Sequence, residues 1–308
     1  MSQITNTVLM VSPDSFAYDE ETAISNTFQK NLTISQEDIQ KKALDEFNEM
    51  VNQLKENLIN VLVIPSVKGN VPDSVFPNNW FSTDDKGNLV VYSMLAESRR
   101  KEIQIDILKQ ALIKNGYEVK KTINFKNFQD SDMFLEGTGS MTLDHIHHVV
   151  YAILSARTHI IPLEYFCSAF GYTLVYFNAT DLQGIPIYHT NVLMNIGDGF
   201  AVCCNELIQD EHERKNVQAQ LEKNNFEVVD ITYEQMTKFC GNILQVENIN
   251  SERKIIMSDQ AYNSFSKKQI DTLEKYGGII HSNIETIETI GGGSARCMLA
   301  EIFLPKIN

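Results

Sequence analysis

Three glycines run into an arginine and a cysteine near the C-terminal end of the chain, as Gly291-Gly292-Gly293-Ser294-Ala295-Arg296-Cys297. Glycines let the backbone come close to another group or take dihedrals closed to other residues. A thiol behind such a turn acts as a nucleophile when it faces a cleft. A helix starting at Ser294 to Arg296, or an inward-pointing Arg296, would favour its thiolate. On these residues alone, Cys297 reads equally well as a nucleophile or as a core thiol.

A thiol nucleophile needs a proton-transfer partner. His189, in YHTNV, precedes an apolar run with Thr190 and Asn191 beside it, so it reads as an acid/base at a cleft edge or as a hydrogen-bonded structural histidine. HIHH, from His145 to His148, puts alternate imidazoles on one strand face. No cysteine or carboxylate pattern completes a metal site there, and no metal is expected. Glu136, in MFLEGTGS, stands where apolar residues meet two glycines, either exposed at a turn or aimed into a cleft. The stretch PDSVFPNNWF holds Asp73, Asn78, Asn79 and the chain's one tryptophan. It is either a turn whose asparagines bond their own backbone or a binding loop of amide donors and acceptors.

Bulk properties remove several classes of function. Asp and Glu number 40 against 26 Lys and Arg, a net charge of −14 that repels phosphate backbones, so nucleic acid is not an expected partner. No apolar run approaches the ~18 residues of a membrane helix, and MSQITNTVLM lacks the basic-then-apolar order of a signal peptide. Five cysteines without C-x-x-C argue against a disulfide framework and a structural zinc, and suit a reducing cytoplasm. The order of residues is wrong for a papain-like peptidase, since the cysteine comes last. The glycine run lacks the lysine of a phosphate loop.

The elements that must position these residues alternate from end to end. TNTVLMV reads as a strand, and Ser35 as the N-cap of an amphipathic helix carrying Ile39, Ala43, Phe47, Met50, Val51, Leu54 and Leu58. NVLVIPS is a strand, and a helix is expected from about Ser98 to Asn115. YEVKKTI, MFLEGTGSMTLD, HHVVYAIL and YTLVYFN read as strands, with a short helix near Leu163. YHTNVLMNIGDGFAVCC reads as a hairpin turning at Gly197-Asp198-Gly199. A helix at Asp210 to Lys223, strand FEVVDI, strands near Ile243 and Ile255, helices between Gln260 and Lys275, and strands GGII and AEIFLP complete the chain. With no linker or composition shift, the 308 residues read as one domain of repeated ββαβ units.

PDSVFPNNW, SRR, FLEGTG, YHTNV and GGGSARCM, in this order, resemble the guanidino-group-modifying enzymes of the pentein fold. These include arginine deiminase, dimethylarginine dimethylaminohydrolase and the amidinotransferases; the bacterial citrulline-utilisation hydrolase group is most similar. The resemblance spans TNTVLMV to EIFLP. It implies an α/β five-bladed propeller and a single catalytic domain over residues 1–308. It implies Cys297 as the nucleophile, His189 as the acid/base, and Glu136 as the carboxylate that binds substrate nitrogens and orients the histidine. Asp73, Asn78 and Asn79 would line the site, and Arg99 and Arg157 would hold an α-carboxylate, a task suited to bidentate arginine.

Two positions depart from the deiminase pattern. Asn79 and Asn191 stand where deiminases place acids, and an amide does not add charge and can donate to a carbonyl oxygen. Retaining Glu136 while replacing two acids favours a neutral ureido group over a guanidinium. The expectation is hydrolysis of citrulline to ornithine, ammonia and carbon dioxide without a cofactor. A deiminase, a dimethylargininase-like hydrolase, an amidinotransferase and a non-catalytic binding protein are the alternatives. The partner expected is a small ureido or guanidino amino acid; a homo-oligomer is compatible with the sequence. Asp84 or Asp85 near the site would weaken the argument for a neutral substrate.

Overall fold

The apolar runs pair locally and repeat one pattern. In the computed structural model, which describes residues 1–307, β1 (Thr7–Val11) runs parallel to β2 (Asn60–Ile64) across the helix Gln36–Glu56. β3 (Phe81–Thr83) and β4 (Asn88–Val91) form an antiparallel pair, and β5 (Lys121–Asn124) returns parallel to β4 after the helix Ile105–Lys114. β6 (Thr142–Asp144), β7 (Val149–Ile153) and β8 (Thr173–Phe177) repeat this around the helix Ile160–Phe170. β9 (Met194–Ile196), β10 (Phe200–Cys203) and β11 (Glu227–Asp230) do so around Glu211–Lys223. β12 (Leu244–Glu247), β13 (Arg253–Ser258) and β14 (Gly278–Ser282) do so around Asp259–Ser264 and Lys267–Leu273. Finally β15 (Ala300–Glu301) lies antiparallel to β1, so the first sheet is closed by the far end of the chain. The result is five three-stranded sheets. Each parallel return needs a crossover, which the intervening helix supplies.

Local sequence explains the helices. Ser35 accepts a hydrogen bond from Asp38 N, and the stripe Ile39, Ala43, Phe47, Met50, Val51 and Leu54 is buried. That stripe packs with Val8 and Met10 of β1, Ile256 of β13 and Leu299, tying sheets from both ends of the chain into one core. Among the described residues, no helix is long and apolar enough to cross a membrane.

Three expectations need correction. The helix from Ser98 to Asn115 is two pieces, Glu97–Arg100 and Ile105–Lys114. The break lets Arg99 pair with Glu102 in the interior while Leu108 and Leu112 pack the blade. MFLEGTGSMTLD is not one strand, because Gly137–Ser140 forms a helical turn in which Ser140 Oγ accepts Glu136 N at 2.9 Å. His189 likewise stands outside the β9–β10 hairpin, ahead of the turn Thr190–Leu193. The helix Glu285–Gly291, with Ile287 and Ile290 buried, had no counterpart in the sequence reading.

One regularity positions the site. The residues just before each sheet's entering strand include Asn78 and Asn79 (β3), Glu136 (β6), His189 and Asn191 (β9), Asn242 (β12) and Cys297 (β15). Truncating the core that holds these ends together should be costly. Phe47→Ala is expected to lower the unfolding free energy by about 3–5 kcal/mol in urea titrations, the usual cost of emptying a buried phenylalanine site.

Candidate active site

Cys297 does not open a helix. It lies in a turn in which its N–H donates to Ser294 O at 2.9 Å. Arg296 points away from it, donating to Leu299 O and pairing with Glu301 at 2.8 Å. Both expected aids to the thiolate are therefore missing. Two amides stand in their place: Asn191 Nδ2 donates to Cys297 Sγ at 3.4 Å and Asn242 Nδ2 at 3.2 Å. Asn242 escaped sequence reading because CGNIL carries no motif; only its place before β12 marks it. The opening glycines serve close approach. Gly292 ends the preceding helix at φ 62°, and a side chain there would meet Asn26 at 2.6 Å.

His189 is buried and its Nε2 lies 2.8 Å from Glu136 Oε2. Glu136 Oε1 accepts Leu95 N at 3.0 Å, and Arg157 Nη1 lies 3.5 Å from Oε2. Both carboxylate oxygens are thus engaged by the protein. Burial pushes Glu136 upward, but Arg157 and His189 outweigh it and hold the carboxyl at about 2. Burial dominates at His189 and takes it down to about 4 despite Glu136, so the imidazole is neutral at pH 7. Gly139 makes this packing possible, because a Cβ there would overlap the Asn79 amide and lie 2.8 Å from the His189 ring.

Asp73, Asn79, Arg99, Arg157, His189 and Cys297 line one small cavity with Asn26, Phe76, Tyr188 and the glycine run. Asp73 Oδ2 accepts Thr22 Oγ1 at 2.8 Å, while the buried Oδ1 has no partner. Burial raises the Asp73 carboxyl to about 6, with Asp19 adding and Arg99 opposing. Arg99 is held by Glu102 at 2.9 Å and donates Nη1 to Asn79 Oδ1 at 2.6 Å, which leaves one Nη1 hydrogen free. Arg157 stacks over Tyr188, 5.0 Å from its centroid, and donates to Ser25 Oγ and Thr22 O, each at 3.0 Å. The segment carrying these partners is fastened across the cavity by Gln29 Nε2 to Gly291 O at 3.0 Å and Asn26 Nδ2 to Gly292 O at 3.1 Å.

Several expected residues sit elsewhere. Asn78 does not line the cavity; its Nδ2 donates to Thr138 Oγ1 at 3.2 Å and its Oδ1 accepts Asn79 Nδ2 at 3.0 Å, bracing its neighbour. Glu136 lies behind His189, and neither it nor Asn191, whose Nδ2 faces the Cys297 sulfur, is among the cavity-lining residues. Asp84 caps its own turn by accepting Lys86 N at 3.0 Å, and Asp85 pairs with the N-terminus at 3.3 Å. His145 bonds Tyr172 and His147 bonds Asp144. Glu102 was missed, although its spacing three residues after Arg99 on a helical turn was a usable signal.

A family model described as N,N-dimethylarginine dimethylhydrolase, eukaryotic, matches residues 12–304. The chain belongs to this family. The solved structures that it resembles share the pentein fold. The N-terminal domain of ArgZ, an arginine dihydrolase of Cyanobacteria, shares 18% identity and a TM-score of 0.72 over 97% of this chain and 99% of that domain. The chain spans only 41% of the longer ArgZ chain, at 17% identity and a TM-score of 0.73. A dimethylarginine dimethylaminohydrolase, as its adduct with 4-chloro-2-hydroxymethylpyridine, shares 15% identity and a TM-score of 0.65 over 97% of this chain and 100% of that one. No curated protein sequence matches.

The site's burial predicts a pH dependence. His189 is harder to protonate folded than unfolded, so stability is full above its unfolded value of about 6.5 and falls as pH drops toward 4. Glu136 has a depressed folded value, so its contribution is lost between about 4.5 and 2. Urea titrations at descending pH should show both losses, and His189→Gln should flatten the upper one.

Proposed function

We propose that the chain hydrolyses the ureido C–N bond of L-citrulline, yielding ornithine, ammonia and carbon dioxide, with Cys297 as nucleophile. The observation that carries this reading is the charge of the cavity wall. Among the described residues, Asp73 is its one carboxylate, against Arg99 and Arg157. Glu136 and Glu102 are committed to His189 and Arg99. A neutral head group with a carboxylate tail suits that wall better than a guanidinium does.

Arg157 and the free Nη1 hydrogen of Arg99 hold the substrate carboxylate, Arg157 exchanging its contacts with Ser25 and Thr22 for it. Asp73 Oδ1, unpartnered without substrate, accepts ureido N–H, and Asn79 orients the ureido plane. Cys297 gives its proton to His189 as sulfur bonds to the ureido carbon. The C–N bond breaks, His189 protonates the departing nitrogen, and ammonia leaves a carbamoyl thioester. Water then loses a proton to His189 and attacks, the C–S bond breaks, and the carbamate released loses carbon dioxide. Glu136 keeps the imidazole in place through both steps. No cofactor enters, residues 1–308 act as one catalytic domain, and unpaired thiols suit the cytoplasm.

A second reading is an arginine dihydrolase, favoured by the likeness to ArgZ and by the unpartnered Asp73 oxygen, which a guanidinium would also satisfy. Incubation with L-citrulline, L-arginine and N,N-dimethyl-L-arginine separates the readings. Ornithine and ammonia from citrulline alone, absent in Cys297→Ala, is the expected result. Ornithine from arginine through citrulline supports the second reading, and dimethylamine release overturns both. With ionised Asp73 required, kcat/KM should fall below about pH 6, and Asp73→Asn should abolish that limb along with most activity.

A further inference from the structure

We infer that Asn242 is a further catalytic residue, whose amide holds the charge on the Cys297 sulfur during attack; this rests on Cys297 being the nucleophile proposed above. Three observations carry it. The first is contact: Asn242 Nδ2 lies 3.2 Å from Cys297 Sγ and also donates to Asn191 O at 2.9 Å, while its backbone O accepts Arg296 N at 3.4 Å. One residue thus grips the sulfur and the neighbouring asparagine through its side chain, and the turn carrying the sulfur through its backbone.

The second is topology. Before β3, β6, β9 and β15, the entering segment delivers a residue to the cluster around the cavity, and Asn242 is the corresponding residue before β12. It occupies the fifth equivalent place around a shared centre, although no motif announces it.

The third is electrostatic. A thiolate beside a cation or at the N-terminus of a helix is stabilised by that charge. Here Arg296 pairs with Glu301, no helix begins at Ser294, and His189 Nε2 is occupied by Glu136. Amide N–H groups are then the donors left to the sulfur. They bond a thiolate more strongly than a thiol, and so favour the reacting form. Asn242 is fully buried and its Oδ1 has no partner, as is true of Asn191 Oδ1. The donor end of each amide is committed to sulfur and the acceptor end is open. Through the attack itself the balance is unchanged: the thiol proton passes to His189, the S–C bond forms, and the amide loses and gains nothing.

The test is alkylation of the unliganded protein by iodoacetamide across pH, with the Cys297 peptide followed by mass spectrometry and Cys297→Ala as blank. Asn242→Ala is expected to slow alkylation of Cys297 at neutral pH roughly tenfold or more, the scale of a lost hydrogen bond to a charged group, and to move the profile to higher pH. kcat should fall with KM little changed, and Asn242→Ser, which keeps a donor, should recover part of both. Should Asn242→Ala fail to fold, the near-isosteric Asn242→Asp places an acceptor against the sulfur and is expected to shift the profile further. A profile like that of the unsubstituted protein in folded Asn242→Ala or Asn242→Asp overturns the inference while leaving Cys297 as nucleophile. Full turnover by Cys297→Ala overturns the underlying reading and this inference together.

Discussion

The hydrogen bond between His189 and Glu136 is the constraint around which the interior is arranged. A carboxylate this deeply buried is unfavourable unless its oxygens are met. Leu95 N, His189 Nε2 and the nearby Arg157 guanidinium meet them here. Each partner then has its own demands. Arg157 is held by Ser25, Thr22 and the face of Tyr188. Leu95 follows β4, and Glu136 is fixed by the turn that bonds its N–H to Ser140. Removing the carboxylate would leave an imidazole, a guanidinium and a backbone N–H short of an acceptor at once, so the network is expected to behave as a unit rather than as separate pairs.

The five-sheet architecture makes such a network affordable in conformational terms. Each ββαβ unit is short and locally connected, and its entering segment needs to hold only one or two polar groups. Five segments converging on one centre assemble a site that no single loop could preorganise. Closure of the first sheet by β15 matters for the same reason, because the strand that completes the fold is the one that follows Cys297.

Much of this was legible in the sequence, for identifiable reasons. Alternation of apolar runs gave the strands, and Ser35 with its apolar stripe gave the long helix, because those signals are local. Cys297, His189, Asp73, Asn79, Arg99 and Arg157 were found by motif, and they do gather at one cavity. What was not legible depends on orientation. Nothing in GGGSARC says that Arg296 turns outward to Glu301, and nothing in PNN says that Asn78 faces Thr138 rather than the cavity. The strand expected through FLEGTGS failed because the turn there is imposed by Ser140 and by glycines pressed against Asn79 and His189, which are distant in sequence. Asn242 was invisible because its significance lies only in a topological equivalence between units.

The central claim is a covalent route through Cys297 on a ureido substrate. The most direct measurement is intact-protein mass spectrometry after rapid acid quench of the protein mixed with L-citrulline, followed by peptide mapping. An adduct of citrulline less ammonia, confined to the Cys297 peptide and absent with L-arginine, is the predicted result. Ornithine formation without any adduct on Cys297, or an adduct from arginine and none from citrulline, would contradict the account.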